Sequence, residues 1–230
     1  MHPRQPSPII PVSLLLHAYR AGVFPMADGR KDAEVFWVEP RERAVIPLES
    51  FRPSRSLTKT IRQDRFAVSW DRDFPATIAA CAEARAGGGG SWISHRIEAS
   101  YVALHNAGHA HSIEVRDESG ALVGGLYGVA FDSVFCGESM FSRARDASKV
   151  ALVWLVAGLK AAGFRLLDCQ FMTPHLASMG AVAMPQEEYR RRLEAARKQA
   201  PLPLPAALSR LSQAAVSPGK SIVQSFTKTS

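Results

Sequence analysis

The chain is expected to fold as an α+β protein with a mainly antiparallel sheet, and three observations carry that expectation. Residues 109–115, 122–131 and 134–141 are β-type runs joined by Asp117-Glu118-Ser119-Gly120 and Asp132-Ser133, turns short enough to link antiparallel neighbours. Residues 146–162 follow as an apolar helix, with Asp146 placed as N-cap and Gly163 as the stop. A further β-type run, 164–171, comes directly after that helix.

The other elements are read in order. Residues 13–21 form a short helix capped by Ser13 and ended by Gly22, after which Phe24-Pro25-Met26 is extended. Residues 34–48 read as strand and loop around Trp37 and Ala44-Val45-Ile46. Within residues 52–65 the cations Arg52, Arg55, Lys59, Arg62 and Arg65 meet one acid, Asp64. A helix over 55–63 would set Arg55, Lys59 and Arg62 on one face and anchor itself through Leu57 and Ile61. That face is either a solvated amphipathic surface or a phosphate contact; the overall charge favours the contact. A second unit begins near Phe66, with a strand over 66–70, a helix over 75–86 and a helix over 97–106 stopped at Gly108. Between these helices Gly87-Gly88-Gly89-Gly90 reads as a connector, since it matches no phosphate-binding pattern. Gly124, Gly125 and Gly128 interrupt the middle strand of the meander, the sign of a bulge or of close approach by a ligand. After residue 171, a helical turn through His175 and Leu176 ends at Gly180, and residues 186–198 form a charged surface helix. From residue 201 the chain is rich in Pro, Ser and Ala and is expected to be largely disordered.

Composition narrows the classes. With 230 residues and 47% apolar side chains, a sizeable core is expected. A net charge of +7 suits a polyanionic partner such as nucleic acid, and equally suits plain solubility. Cys81, Cys136 and Cys169 form no CxxC pair, which fits reduced thiols better than a disulfide framework. Leu14-Leu15-Leu16 is too short for a signal-peptide core, and no window approaches the ~20 apolar residues of a membrane span. A soluble, cytoplasmic protein is therefore expected.

The chemistry-bearing residues cluster in two segments. In residues 164–171, Asp168 and Gln170 stand at i and i+2 and so project with Leu166 from one face, ~6.6 Å apart. A carboxylate beside a carboxamide can orient an amine and accept its proton. Glu138, expected on one face with Cys136 and Met140, either attracts a cationic ligand or pairs internally with Arg143 or Arg145. Those arginines, ahead of the helix start at 146–149, make either an anion site or an ordinary cap. His109 and His111 share a strand face, but no third ligand has suitable spacing, and no metal is expected. Cys169 points away from Asp168 and reads as a buried, inert thiol. Trp37, Trp92, Tyr127, Phe135 and Phe141 could line an apolar pocket, although each taken singly is core.

The residues also form an ordered pattern. It runs through Leu-His-Ala-Tyr-Arg-Ala-Gly-Val-Phe-Pro-Met (16–26), Trp-Val-Glu-Pro-Arg (37–41), Asp-Arg-Asp-Phe (71–74), Trp92-Ile93, Tyr-Val-Ala-Leu-His (101–105) and Gly-His-Ala-His-Ser-Ile-Glu-Val (108–115). It continues through Gly-Gly-Leu-Tyr-Gly (124–128), residues 137–149 with Gly-Glu-Ser-Met-Phe-Ser, and Asp168-Cys169-Gln170. Over residues 13–190 the chain thus resembles the leucyl/phenylalanyl-tRNA–protein transferases. The resemblance implies a bacterial N-end rule enzyme. Such enzymes move Leu or Phe, with Met as a further donor, from aminoacyl-tRNA to the α-amine of proteins beginning with Arg or Lys. It implies a small N-terminal domain (1–65), a C-terminal domain like the GCN5-related N-acetyltransferases (66–200) and a tail (201–230). Gln170 would hold the attacking amine, Asp168 would polarise that contact and help receive the proton, and Glu138 would be an anionic contact for the acceptor. Trp37, Trp92, Leu126, Tyr127, Phe135 and Phe141 would form the aminoacyl pocket. Arg52, Arg55, Lys59 and Arg62, joined by Arg143 and Arg145, would hold the tRNA acceptor end through phosphates. No cofactor or metal is required.

The segment before the first helix lacks the Gly-Gly-Asp-Leu stretch of many members, and Leu126 stands where others often have Met, a near-volume swap. Two other readings compete. An acyl-CoA-dependent N-acetyltransferase of the same fold would need a glycine-rich pyrophosphate loop, where this chain has Ser142-Arg143-Ala144-Arg145-Asp146-Ala147. A non-catalytic RNA-binding protein is supported by charge alone.

Overall fold

The structure is a computed structural model that describes residues 8–83, 91–213 and 217–227. The connector expected at 87–90 lies outside the described residues. In chain order the first elements are α1 (Val12–Arg20), β1 (Phe24–Met26), β2 (Phe36–Val38), β3 (Glu42–Ile46), α2 (Arg55–Arg62), β4 (Ala67–Trp70), α3 (Phe74–Cys81) and α4 (His95–Asn106). The meander follows as β5 (Ala110–Arg116), β6 (Leu122–Phe131) and β7 (Val134–Ser142). Then come α5 (Ala147–Ala162), β8 (Leu166–Gln170), α6 (Pro174–Ser178), β9 (Val182–Pro185), α7 (Gln186–Arg197), α8 (Leu204–Gln213) and α9 (Pro218–Gln224).

Seven strands form one sheet in the order β4-β5-β6-β7-β8-β3-β9, and β1 pairs with β2 in a small separate sheet. Every neighbouring pair of the large sheet is antiparallel except β7 and β8. Those two run parallel because α5 carries the chain back across the sheet between them, as a parallel pair requires. The mixed, mostly antiparallel α+β class is therefore what the chain adopts.

Local sequence accounts for most ends. Ser54, Asp73, Ser94 and Thr173 each accept a backbone N–H at the start of α2, α3, α4 and α6. Gly22, Gly163 and Gly180 take the left-handed φ that ends the preceding helix. α1 begins one residue earlier than expected, after Pro11 rather than Ser13. Asp146 does precede α5, but in a left-handed conformation and with no side-chain cap bond.

Helices cover both faces of the sheet. One apolar cluster joins Leu57 and Ile61 of α2, nearly all of α5, and the apolar residues of α8 and α9. The other joins Leu15 and Tyr19 of α1, Phe74 and Ile78 of α3, Ile97 and Tyr101 of α4, and Tyr189 and Leu193 of α7. β3, drawn from residues 1–65, is a strand of the large sheet between β8 and β9, so the division at 65/66 does not coincide with a break in that sheet. One expectation, a largely disordered tail, is corrected here. The tail beyond 201 is not structureless over its described residues. Leu204, Ala207 and Leu208 of α8, and Ile222 and Val223 of α9, are buried in the first cluster, because helical spacing gathers them on one face despite the Pro/Ser content.

Candidate active site

The site begins where β7 and β8 part. They pair only from Val134 to Cys136 against Leu166 to Asp168. Beyond that point the β6–β7 register slips: Tyr127 faces Ser139 while Gly128 faces Gly137, which leaves Glu138 as the extra residue of a bulge. The bulge reverses the alternation of β7. Cys136 packs into one core cluster and Met140 against the other, so the common face expected for Cys136, Glu138 and Met140 does not exist. Gly128 is required by the protein itself rather than by a ligand. A Cβ there would lie 2.3 Å from the Cys136 carbonyl and 2.4 Å from the Phe135 ring.

The parting strands open a cavity of about 530 Å³. Trp92, Leu126, Tyr127 and Phe141 of the expected pocket line it, as do Met26, Met140, Leu167 and Cys169. Ser148, Leu152 and Leu155, at i, i+4 and i+7 on α5, supply another wall. Trp37 and Phe135 do not line it. Trp37 lies on β2 and is 41% exposed, whereas Phe135 is fully buried in the core beside Gly128. Cys169 does reach the cavity, but burial pushes its thiol far up, so it remains an inert group.

Glu138 and Gln170 meet in the cavity wall. The Gln170 amide Nε2 donates to Glu138 Oε1 at 2.8 Å, and the Tyr101 hydroxyl donates to Oε2 at 3.2 Å. Tyr101 is itself hydrogen-bonded to the Tyr19 hydroxyl. Burial raises the Glu138 carboxyl to about 7 even though these hydrogen bonds pull it down and Asp168 adds a further upward push. Among the described residues no arginine forms an ion pair with it: Arg143 pairs with Glu83 at 2.5 Å, and Arg145 is 96% exposed beside Asp146. The internal pairs expected as one alternative for Glu138 are therefore not made.

Asp168 is placed differently from the expectation. It is fully buried, and it accepts from Arg43 Nη2 at 3.0 Å, the Tyr189 hydroxyl at 2.9 Å and the Gln170 backbone N–H at 2.8 Å. It does not line the cavity. Arg43 is itself 2% exposed and lies over the rings of Phe24 and Tyr189. Burial opposes its charge, but the Asp168 carboxylate and Tyr189 together outweigh that effect and push its pKa up. What Asp168 does for Gln170 is conformational. Gln170 has φ +61, an unusual value for a non-glycine residue, and the bond from its N–H to Asp168 holds that conformation in place.

The remaining candidates separate. Arg55, Lys59 and Arg62 are exposed on α2, while Arg52 donates to the carbonyls of Glu49 and Phe51. Arg143 and Arg145 precede the start of α5, where Asp146 pairs with Lys149 at 3.5 Å and makes no side-chain cap bond to the helix. His111 bonds Asp71 at 2.6 Å, and no cluster of His, Cys, Asp and Glu suited to a metal exists among the described residues.

Sequence reasoning missed Arg43, Tyr189, Tyr19, Tyr101 and His175. Only Arg43 left a usable signal, a cation entering the apolar run 44–46. Among the described residues, three buried side-chain polar atoms lack a hydrogen-bond partner: Tyr127 Oη, Ser139 Oγ and His175 Nε2. All three residues line the cavity, which marks it as a place where a ligand supplies the missing partners. Burial, with Lys149 nearby, lowers the His175 pKa and favours the neutral ring.

A buried acid and carboxamide at an apolar cleft are the parts of a group-transfer enzyme that seats an apolar moiety and handles an amine. Comparison makes the class specific. Residues 45–194 match the leucyl/phenylalanyl-tRNA protein transferase family, and residues 10–41 match the N-terminal domain of that family. The leucyl/phenylalanyl-tRNA–protein transferase of Novosphingobium aromaticivorans is 61% identical over 82% of this chain and 72% of its own. That of Rhizorhabdus wittichii is 58% identical over 76% and 71%, and that of Ruegeria pomeroyi 52% identical over 81% and 87%. The chain belongs to the leucyl/phenylalanyl-tRNA protein transferase family.

Proposed function

We propose that the cleft between β7 and β8 seats the Leu or Phe ester of an aminoacyl-tRNA and presents it to the α-amine of a protein with N-terminal Arg or Lys, within the cytoplasmic N-end rule pathway. As a family member the chain is an aminoacyltransferase, with aminoacyl-tRNA as donor and proteins as acceptors. The observation that carries the reading is the Glu138–Gln170 pair. Gln170 spends its amide N–H on Glu138, which leaves its carbonyl oxygen to accept from the incoming amine. Glu138, raised to about 7 and without a cationic partner among the described residues, is poised to take the proton. The amine nitrogen bonds the ester carbon, the ester C–O bond breaks, the amine proton passes to Glu138 and the released ribose oxygen takes up a proton. The ester is already activated, so most of the acceleration comes from proximity and orientation. Asp168 acts here as a positioning residue, through the Gln170 backbone. Trp92, Leu126, Tyr127 and Phe141 then serve the aminoacyl side chain, and the exposed cations of α2 the acceptor-end phosphates.

The acyl-CoA alternative is disfavoured by chemistry at α5. A pyrophosphate loop needs glycines and no nearby anion, whereas residues 142–147 hold no glycine and Asp146 adds a carboxylate beside the helix start. The parallel β7–α5–β8 step after an antiparallel meander supports the likeness to GCN5-related N-acetyltransferases implied by the sequence. The test is transfer of labelled leucine from Leu-tRNA to a peptide with N-terminal Arg. Label on the free-amine peptide alone, abolished by ribonuclease, is expected; label on an N-acetylated peptide, or none on either, overturns the reading.

A further inference from the structure

The family match ends at residue 194, yet the chain beyond it folds back onto the basic helix. Asp64, two residues past α2 and at φ +46, turns its carboxylate to α9: it accepts from the Gly219 backbone N–H at 2.8 Å and from the Ser217 hydroxyl. The two backbones touch, and a Cβ at Gly219 would lie 2.0 Å from the Ile61 carbonyl oxygen. Ile222, Val223 and Phe226 pack in the same cluster as Leu57 and Ile61, and the Phe226 ring lies 5.6 Å from that of Phe51. α8 is seated as closely on α5, where a Cβ at Gly158 would meet Leu208 at 2.6 Å. α9 thus grips α2 at its C-terminal end, and α8 ties α9 to α5, which also supplies a wall of the cleft.

We propose that α8 and α9 are a brace that fixes the orientation of α2 relative to the cleft and thereby sets affinity for the acceptor stem of the aminoacyl-tRNA. This rests on the reading of α2 as the phosphate contact. A short amphipathic helix of eight residues with two buried anchors is marginal alone, so its cations hold a fixed spacing only while something covers its other side. Gly219 and Asp64 are positioning residues in this scheme, and neither touches substrate.

The discriminating variant is Asp64→Gly. It tolerates the positive φ, removes a negative charge beside the cations and deletes both acceptor bonds to α9. If Asp64 acted by charge alone, tRNA binding would tighten; the brace requires it to weaken several-fold. Gly219→Ala, which leaves charge untouched, should weaken it likewise, and amide exchange across α2 should quicken in both variants. Transfer from an aminoacyl-adenosine donor, which lacks the acceptor stem, should stay near the parent rate and so shows that the cleft is folded. Tighter or unchanged tRNA binding, or unchanged exchange in α2, overturns the brace. Failure of the underlying reading shows separately: in Arg55→Ala with Lys59→Ala, tRNA binding would keep its full salt dependence.

Discussion

Glu138 is held in the cleft at a cost that its titration exposes. Burial raises the carboxyl from 4.5 to about 7, so between those values the folded state keeps a proton that the unfolded chain has lost. Stability is therefore greatest below the unfolded pKa and falls as pH rises through the folded one, by about 3 kcal/mol in all. Glu138→Gln removes this dependence. The variant should melt higher than the parent at about pH 8 and similarly near pH 4, while transfer to an N-terminal Arg peptide drops by about 10²–10⁴-fold. Parallel pH–stability curves for the two proteins would place the raised group elsewhere. Gaining stability while losing activity is the expected signature of a residue kept for chemistry rather than packing. Asp168 is the opposite case. Its carboxylate is saturated by Arg43, Tyr189 and Gln170, all from within the protein, which suits the positioning role proposed for it rather than proton exchange with substrate.

At the scale of elements, the bulge in β7 is what aims Glu138, and Gly128 across the ladder is what permits it. Gly128→Ala would drive a methyl into the Cys136 carbonyl and the Phe135 ring, with an expected loss of about 3 kcal/mol and a larger loss of transfer than the folded fraction explains. Gly137→Ala is the control. Its Cβ would meet the Asp168 carbonyl at 3.6 Å, an ordinary contact, and denaturant melts should show little change. A Gly128→Ala protein as stable as Gly137→Ala would remove the bulge from the argument. The meander, α5 and β8 were legible because turns, caps and alternation are local signals, and Gly124, Gly125 and Gly128 pointed to a bulge. Which residue the bulge would re-aim was not legible, since register depends on the facing strand. Arg43 left a local signal but its partner was not legible, for the same reason at longer range: it pairs with a carboxylate 125 residues away, through a strand whose place beside β8 no local pattern encodes. The resemblance put Phe135 in the pocket, whereas packing against a glycine puts it in the core.

Across the whole molecule, the proposed function builds chemistry and donor affinity from separate regions. The acid, the carboxamide and the apolar cleft sit where the sheet splits, whereas the exposed cations of α2 stand on a helix that the last two helices hold down. Composition misjudged those two because the tail is rich in Pro, Ser and Ala, while a few larger apolar residues at helical spacing decide its burial. The division predicts how charge reaches the donor. Arg55 and Lys59 are exposed, and no carboxylate of the described residues forms an ion pair with either, so replacing both with Ala removes cations without orphaning a partner. Leu57 and Ile61 keep the helix anchored, and Ala suits a helix interior, so the fold should persist. If both contact phosphates, the slope of log affinity for aminoacyl-tRNA against log salt should flatten by about 1.4–1.8. Transfer at saturating donor should be nearly unchanged, because the cleft is untouched. Arg143→Ala is a poor substitute, since it also frees Glu83. Filter binding of the double variant across a salt series is decisive: a parent-like slope would move the acceptor stem off α2, and a flattened slope with normal turnover would assign that helix to the donor's phosphates.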